Sequence, residues 1–203
     1  TADVMGEKLI YKLGLPGEHM VLNSLAVLAA VKVMGADLAR AALALAVAGA
    51  AKGRGVHHRL RMEAGELLLI DESYNANPVS MAAALALLGR AKTGKGGRRI
   101  AVLGDMLELG KDGASLHAEL FKAVDANKVD VVYAAGPLMA HLWAKTPEDR
   151  RGASANTSAE LKDRLLDGLQ AGDVVMIKGS LGSRMGPLVD AIKERFAPLN
   201  RDH

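Results

Sequence analysis

Four short apolar runs constrain this chain more than any other feature: Leu67-Leu68-Leu69-Ile70, Arg99-Ile100-Ala101-Val102-Leu103, Val129 to Ala134, and Val174-Val175-Met176-Ile177. Each is too short for a buried helix and lacks the alternation of a strand with one wet face. They read as strands covered on both sides. Between them lie stretches that read as helices: Ser80 to about Ala91, Gly113 to Ala126, Met139 to about Lys145, Ser158 to Leu169, and Ser183 to Phe196. Thr157 or Ser158 is a plausible N-cap for the fourth of these, and a weaker strand falls near Ala153. Strands alternating with helices predict an α/β fold, a mostly parallel sheet with helices on both faces.

The first quarter of the chain has a different pattern. Lys8-Leu9-Ile10-Tyr11 reads as a strand and Leu15-Pro16-Gly17-Glu18-His19 as a turn. Two helices follow, Met20 to about Met34, closed by Gly35, and Asp37 to about Ala50. Both are apolar on nearly all faces, as helices packed inside a larger body are. Lys52-Gly53-Arg54-Gly55 breaks the pattern, which divides the chain into residues 1–52 and 53–203.

Composition removes several classes of function. Half the residues are hydrophobic and only 3% aromatic, so the core must be aliphatic. The net charge of +3 comes without a dense Lys/Arg stripe or interleaved aromatics, so a nucleic-acid partner is not expected. The basic run Lys92 to Arg99 reads as a solvated loop. There is no cysteine, which excludes disulfides and thiol chemistry and fits a cytoplasmic setting. Leu38 to Ala51 is too short to cross a bilayer, so no membrane partner is expected either.

In parallel α/β sheets the working groups collect beyond the carboxyl ends of the strands. Three loops qualify. Asp71-Glu72-Ser73-Tyr74-Asn75-Ala76-Asn77-Pro78 gathers two carboxylates, a phenol and two amides. Its Asn residues and Pro78 would suit an ordinary turn into a helix. The adjacent Asp71 and Glu72 fit that account less well, because neighbouring anions repel unless a cation or a ligand hydroxyl shares them. Gly104-Asp105-Met106-Leu107-Glu108-Leu109-Gly110 begins as a common tight turn. Lys178-Gly179-Ser180-Leu181-Gly182-Ser183-Arg184-Met185 offers cations, hydroxyls and glycines that can cradle an anion at a helix start. None of the six histidines pairs at metal-binding spacing, so no metal site is assigned. No GxxGK[S/T] phosphate loop and no GxGxxG after the first strand occur, and the latter ranks a nucleotide-dependent oxidoreductase last.

Taken in this order, the three loops closely resemble the Mur ligase family. Asp71 to Met81 is similar to the signature of its branch that joins D-Ala-D-Ala to UDP-muramoyl-tripeptide, and Leu103 to Gly110, Lys178-Gly179-Ser180 and Ser183-Arg184-Met185 match later motifs. Gly17 to Ala26 resembles the end of the family's central ATPase domain, and Gly53-Arg54-Gly55 the arginine motif that opens its C-terminal domain. The resemblance covers essentially the whole chain. It implies a Rossmann-like C-terminal domain over 53–203, preceded by a helical remnant of the ATP-binding domain over 1–52.

It further implies a ligase using ATP and Mg2+, with UDP-muramoyl-tripeptide and D-Ala-D-Ala as small-molecule partners. ATP activates a carboxylate as an acyl phosphate, which the dipeptide amine attacks. By position, Asn23 would lie near the adenine, Arg54 near the phosphates, and Asp71 or Glu72 near the ribose or a domain hinge. Arg54, Asp71 and Glu72 are the catalytic candidates. Tyr74, Asn75 and Asn77 would line the nucleotide and dipeptide side, and Lys178, Ser180 and Arg184 would contact substrate. Met20 stands where sister ligases often carry Asn, so no role transfers to it.

The phosphate loop and metal ligands fall outside this sequence, so the chain alone is expected to be inactive. The full-length ligase is expected to be a monomer, with self-association of this chain through its apolar helices an open expectation. Two alternatives stand beside this reading: a non-catalytic nucleotide- or dipeptide-binding module, and a folylpolyglutamate-synthetase-like ligase. The Ser73-Tyr74-Asn75-Ala76-Asn77 core argues against the second.

Overall fold

The computed structural model describes residues 1–14, 18–48 and 52–197, and the chain forms two compact units, Thr1–Ala51 and Lys52–His203. In the first unit β1 (Ala2–Val4) and β2 (Glu7–Leu9) form an antiparallel hairpin. Its two-residue turn has both central residues left-handed, Met5 at φ +53° and Gly6 at +84°, the geometry that matches strand twist. The strand read at Lys8–Tyr11 falls instead on Glu7–Leu9, the second arm of a hairpin, with Ile10 and Tyr11 beyond its end; the three-residue first arm is too short to stand out.

Helix α1 (Glu18–Val33) ends as its glycine requires: Gly35 is left-handed, its N–H donates to Lys32 O, and Ala36 N–H reaches back to Val31 O. Helix α2 (Leu38–Val47) starts on Asp37, whose carboxylate accepts from Arg40 N at 3.0 Å. Val4, Leu28, Leu38 and Ala42 form a small core. The burial expected of both helices is only partial: Leu22, Val27 and Val33 on the first and Leu43 and Val47 on the second are exposed. Most of the turn read at 15–19 and the last residues of the helix read to Ala50 lie outside the described residues.

The second unit is a six-stranded sheet. Its strands are β3 (Val56–Met62), β4 (Gly65–Glu72), β5 (Arg99–Gly104), β6 (Val131–Ala135), β7 (Arg151–Ala155) and β8 (Val174–Lys178), in spatial order β3-β4-β8-β5-β6-β7. All neighbours are parallel except the β3–β4 hairpin at one edge. The helices are α3 (Pro78–Arg90), α4 (Gly113–Ala126), α5 (Met139–Lys145), α6 (Ser158–Gly168) and α7 (Gly186–Arg195).

Period-two side-chain direction sorts each strand between two cores. Ile70, Ala101, Leu103, Val132, Ala134, Val174 and Met176 pack with Met81, Leu85 and Leu88 of α3, Leu120 and Val124 of α4, and Met139 and Leu142 of α5. The intervening Leu67, Leu69, Ile100, Val102, Tyr133, Val175 and Ile177 pack with Leu161 and Leu165 of α6 and Leu188, Val189 and Ile192 of α7. The α/β architecture with helices on both faces is thus as the apolar runs predict.

The chain runs outward from β5 to β7 over one face, then returns over the other to insert β8 between β4 and β5. Strands β4, β5 and β6 deliver their chains to the first face, and β7 and β8 to the second. Loops leaving neighbouring strands toward opposite faces open crevices at the carboxyl edge, here beside β8 and between β6 and β7.

Candidate functional site

Beside β8, the Gly53-Arg54-Gly55 turn is held against the end of β4. The buried Asp71 carboxylate accepts Gly53 N–H at 3.1 Å through Oδ2, and Ser73 N–H at 3.1 Å and Ser73 Oγ–H at 2.6 Å through Oδ1. Main-chain bonds complete the clasp: Gly55 N to Asp71 O at 2.8 Å and Tyr74 N to Gly53 O at 3.0 Å. Gly53 (φ +75°) and Gly55 (φ +81°) are both left-handed. A side chain at 53 would also come within 2.9 Å of Tyr74 N and Cβ, so glycine is required twice over. The turn lifts Arg54 to the rim, where its guanidinium carbon lies 4.2 Å from the centroid of the exposed Tyr74 ring, an arginine–aromatic stack.

The adjacent acids settle their repulsion by facing apart, since neighbours on a strand project to opposite sides. Asp71 turns to main-chain amides. Glu72 turns to Lys178, its register partner on β8, with Oε2 3.6 Å from the ammonium. Lys178 Nζ also donates to Asn75 O at 2.8 Å, tying the loop after β4 to the end of β8. Burial pushes the Lys178 ammonium below its ordinary value; the Glu72 carboxylate opposes that shift and the Arg54 charge adds to it. His57, on the solvent-facing side at the start of β3, is lowered by partial desolvation from the residues around it, with Glu72 pulling the other way.

The loops beyond β4, β5, β6 and β8 are bonded into one rim. Ser180 N–H donates to Asp105 O at 3.0 Å, its hydroxyl accepts Leu107 N–H at 2.9 Å, and the same hydroxyl donates to Ala76 O at 3.3 Å. The buried Asp105 carboxylate accepts Met139 N–H at 2.8 Å and Leu138 N–H at 3.3 Å, capping α5 from across the sheet. Gly136 leaves room for that carboxylate, which would lie 2.3 Å from any β-carbon there. His117, fully buried on α4, holds Met106 N–H at 2.9 Å.

Between these loops opens a cleft of 410 Å³ lined by Asp105, Leu107, Gly136, Asn156, Ser158 and Arg184, among others. It lies over the crevice between β6 and β7 and reaches toward β8. Arg184, left-handed at φ +53° and exposed, has its carbonyl held by Ser158 Oγ–H at 2.8 Å. A hollow of 420 Å³ at the opposite edge, around Lys92, Lys95 and Gly172, sits at the amino ends of β4 and β8, away from these loops.

The structure thus brings Arg54, Glu72, Tyr74, Asn75 and Lys178 together and places Arg184 on the neighbouring cleft. Asn23 is an exposed residue of α1 in the first unit. The substrate contacts read for three residues meet other geometry. Lys178 and Ser180 are buried and committed to protein partners. Asn77 is the N-cap of α3 in a capping box: its Oδ1 accepts Ser80 N–H at 2.8 Å while Ser80 Oγ accepts Asn77 N–H at 3.0 Å. The sequence reading misses the contributions of His117, Gly136 and Asn156. A glycine directly after a strand, as at 136, was the available signal.

Residues 58–181 match the family model described as Mur ligase, glutamate ligase domain. The chain is 32% identical over 182 residues to UDP-N-acetylmuramoyl-tripeptide–D-alanyl-D-alanine ligase of Escherichia coli K12, covering 90% of this chain and 38% of that protein. The Bacillus subtilis 168 ligase of the same name is 30% identical over 187 residues, covering 91% and 39% respectively. Among solved structures, a crystal structure of MurF from Acinetobacter baumannii superposes with a TM-score of 0.73 at 28% identity, covering 91% of this chain and 39% of the other. The chain therefore spans about two fifths of the length of the curated relatives it matches.

Proposed function

The chain belongs to the Mur ligase family, and from that premise we propose that it supplies the C-terminal domain of the ATP-dependent ligase that adds D-Ala-D-Ala to UDP-N-acetylmuramoyl-tripeptide in peptidoglycan synthesis. The observation that carries the reading is the Arg54–Tyr74 stack beside Glu72, presented at the sheet's carboxyl edge next to a separate cleft. One place suits a nucleotide and the other an amine substrate.

In this reading, residues 1–52 are the end of the ATP-binding domain and 53–203 the C-terminal domain. Arg54 offers a planar fork of donors to phosphate oxygens. Glu72, whose second oxygen is free of the Lys178 contact, accepts ribose hydroxyls. Tyr74 and Asn75 border the nucleotide. Asp71, Lys178, Ser180 and Asn77 position these groups from beneath. Arg184 faces the dipeptide carboxylate, with Asn156 and Ser158 at the start of α6 beside it.

The substrate carboxylate takes the γ-phosphoryl group of ATP to give an acyl phosphate and ADP. The dipeptide amine attacks the acyl carbon, phosphate leaves, and the amine loses a proton as the amide forms. Positioning and charge neutralisation dominate such transfers, which is the work these residues are arranged to do. Among the described residues no group of three His, Asp or Glu side chains could hold a metal ion. The setting is the cytoplasm, where both nucleotide substrates are found.

The test compares Arg54→Ala with the unaltered residue in the full-length ligase. Losing a charge-assisted phosphate contact should lower kcat/KM for ATP by about 10- to 100-fold, while the melting curve moves little. Unchanged ATP kinetics would sink the assignment. The chain by itself should release no ADP with both substrates supplied, because it carries no GxxGK[S/T] loop.

A further inference from the structure

His117 faces no ligand surface, yet both of its ring nitrogens are bonded. It is the fifth residue of α4 and completely buried. One ring nitrogen, Nδ1, lies 2.6 Å from Gly113 O, and the other, Nε2, lies 2.9 Å from Met106 N. A carbonyl can only accept and an amide N–H can only donate. The ring must therefore carry its proton on Nδ1 and a lone pair on Nε2. The bond to Gly113 O, one turn back on the same helix, fixes the ring's orientation. The bond to Met106 then transfers that orientation to a loop.

That loop is the wall of the cleft. Asp105, Met106 and Leu107 are three consecutive residues pinned to three different places: the start of α5, His117 on α4, and Ser180 after β8. Residues 105–109 have no regular structure of their own to hold them: Glu108 is left-handed (φ +64°), and a single 3-10 turn begins only at Gly110. His117 is the pin that ties the loop to the side of α4, through a bond to the Met106 amide that is buried at both ends. Asp105 and Leu107, on either side of that amide, both line the cleft.

We propose that His117, as its Nδ1–H tautomer, is a positioning residue for the cleft: it clamps Met106 and so sets where Asp105 and Leu107 stand. The link to a substrate rests on the reading of the cleft given above; the clamp itself does not.

The experiment uses the whole chain labelled with 15N. Long-range proton–nitrogen spectra of His117 should show the proton on Nδ1 and a bare Nε2. In His117→Leu the Met106 amide should exchange with solvent at least about tenfold faster, as a buried donor stripped of its acceptor does. The amides of Val102 and Met176 in the neighbouring strands should keep their rates. His117→Gln, whose side-chain oxygen can take the place of Nε2, should restore much of the protection. An Nε2–H or doubly protonated ring, or a Met106 amide indifferent to His117→Leu, would overturn the clamp. Should His117→Leu fail to fold, the tautomer and the His117→Gln exchange rates decide. D-Ala-D-Ala titrated into the same samples separates the two ideas: no binding to the unaltered chain counts against the cleft reading alone. Binding weakened in His117→Leu and recovered in His117→Gln supports the positioning role.

Discussion

Lys178 Nζ and Glu72 Oε2 face each other at 3.6 Å across adjacent parallel strands, from residues in direct register and separated by more than a hundred positions in sequence. The ammonium is almost wholly buried and divides its donors between that carboxylate and Asn75 O. Removing it takes away Glu72's ion-pair partner and the donor to a loop carbonyl. Lys178→Met should therefore cost about 3 kcal/mol, the low end for breaking a buried pair, read as a lower urea midpoint at constant m-value. The double variant Lys178→Met with Glu72→Gln should regain part of the loss, because no charge is left stranded. The pH dependence carries a definite sign. Lys178 in the fold titrates below its unfolded value of 10.5, so between those two pKa values the unfolded chain holds more protons. Stability from this group rises with pH through that window, and Lys178→Met should abolish the rise.

Asp105 is the cap of a helix to which it does not belong. Its oxygens accept Met139 N–H and Leu138 N–H, and the N-cap position Leu138 has no side chain able to replace it. Asp105→Ala should destabilise the fold by about 2 kcal/mol, the upper range for losing a cap, measured by urea or thermal unfolding. Asp105→Asn keeps one acceptor oxygen and should lose less than half as much. Equal losses from both would show that charge rather than acceptor geometry is what α5 needs.

His58, half-buried on β3, is held below its ordinary value of 6.5 by burial, with Lys193 pushing the same way and Asp71 pulling against. Its folded pKa being the lower one, the unfolded chain takes up the proton first as the solution is acidified. Stability is full above about pH 6.5 and falls as pH drops through the folded value. His58→Gln should flatten that part of the curve, seen as a smaller difference in urea midpoint between pH 7.5 and pH 5. An identical slope in both proteins would remove His58 from the acid response.

The parts of the fold that were legible are those where local pattern and burial agree. Leu67–Ile70 and Val174–Ile177 sit inside strands β4 and β8 because a strand covered twice must be apolar throughout. Helices α4 and α5 run over the residues read for them, and Thr157 caps α6 by accepting from Glu160 N. Strand β3 escaped the reading for a physical reason. It is the sheet's edge, with His57, Arg59 and Arg61 turned to solvent, so its inward Leu60 is diluted by charge. Residues 71–78 were legible as a place and not as a set of roles. Asn77 and Ser80 satisfy the local capping rule and could be weighed from sequence. The division of labour between Asp71 and Glu72 depends on Lys178 and on the Gly53 turn, and no local pattern encodes partners that distant.

The hydroxyl of Ser180 has a consequence for how the rim opens. Through it and its main-chain N–H, the loops after β4, β5 and β8 share one small group, and Asp105 extends the connection to the loop after β6. Segments that would each fray independently on an ordinary sheet edge are thereby fused into one cooperative opening unit. A ligand docking on such a rim would meet a surface already ordered by folding, and cutting the Ser180 hydroxyl would be expected to loosen the loops it joins together rather than one of them alone.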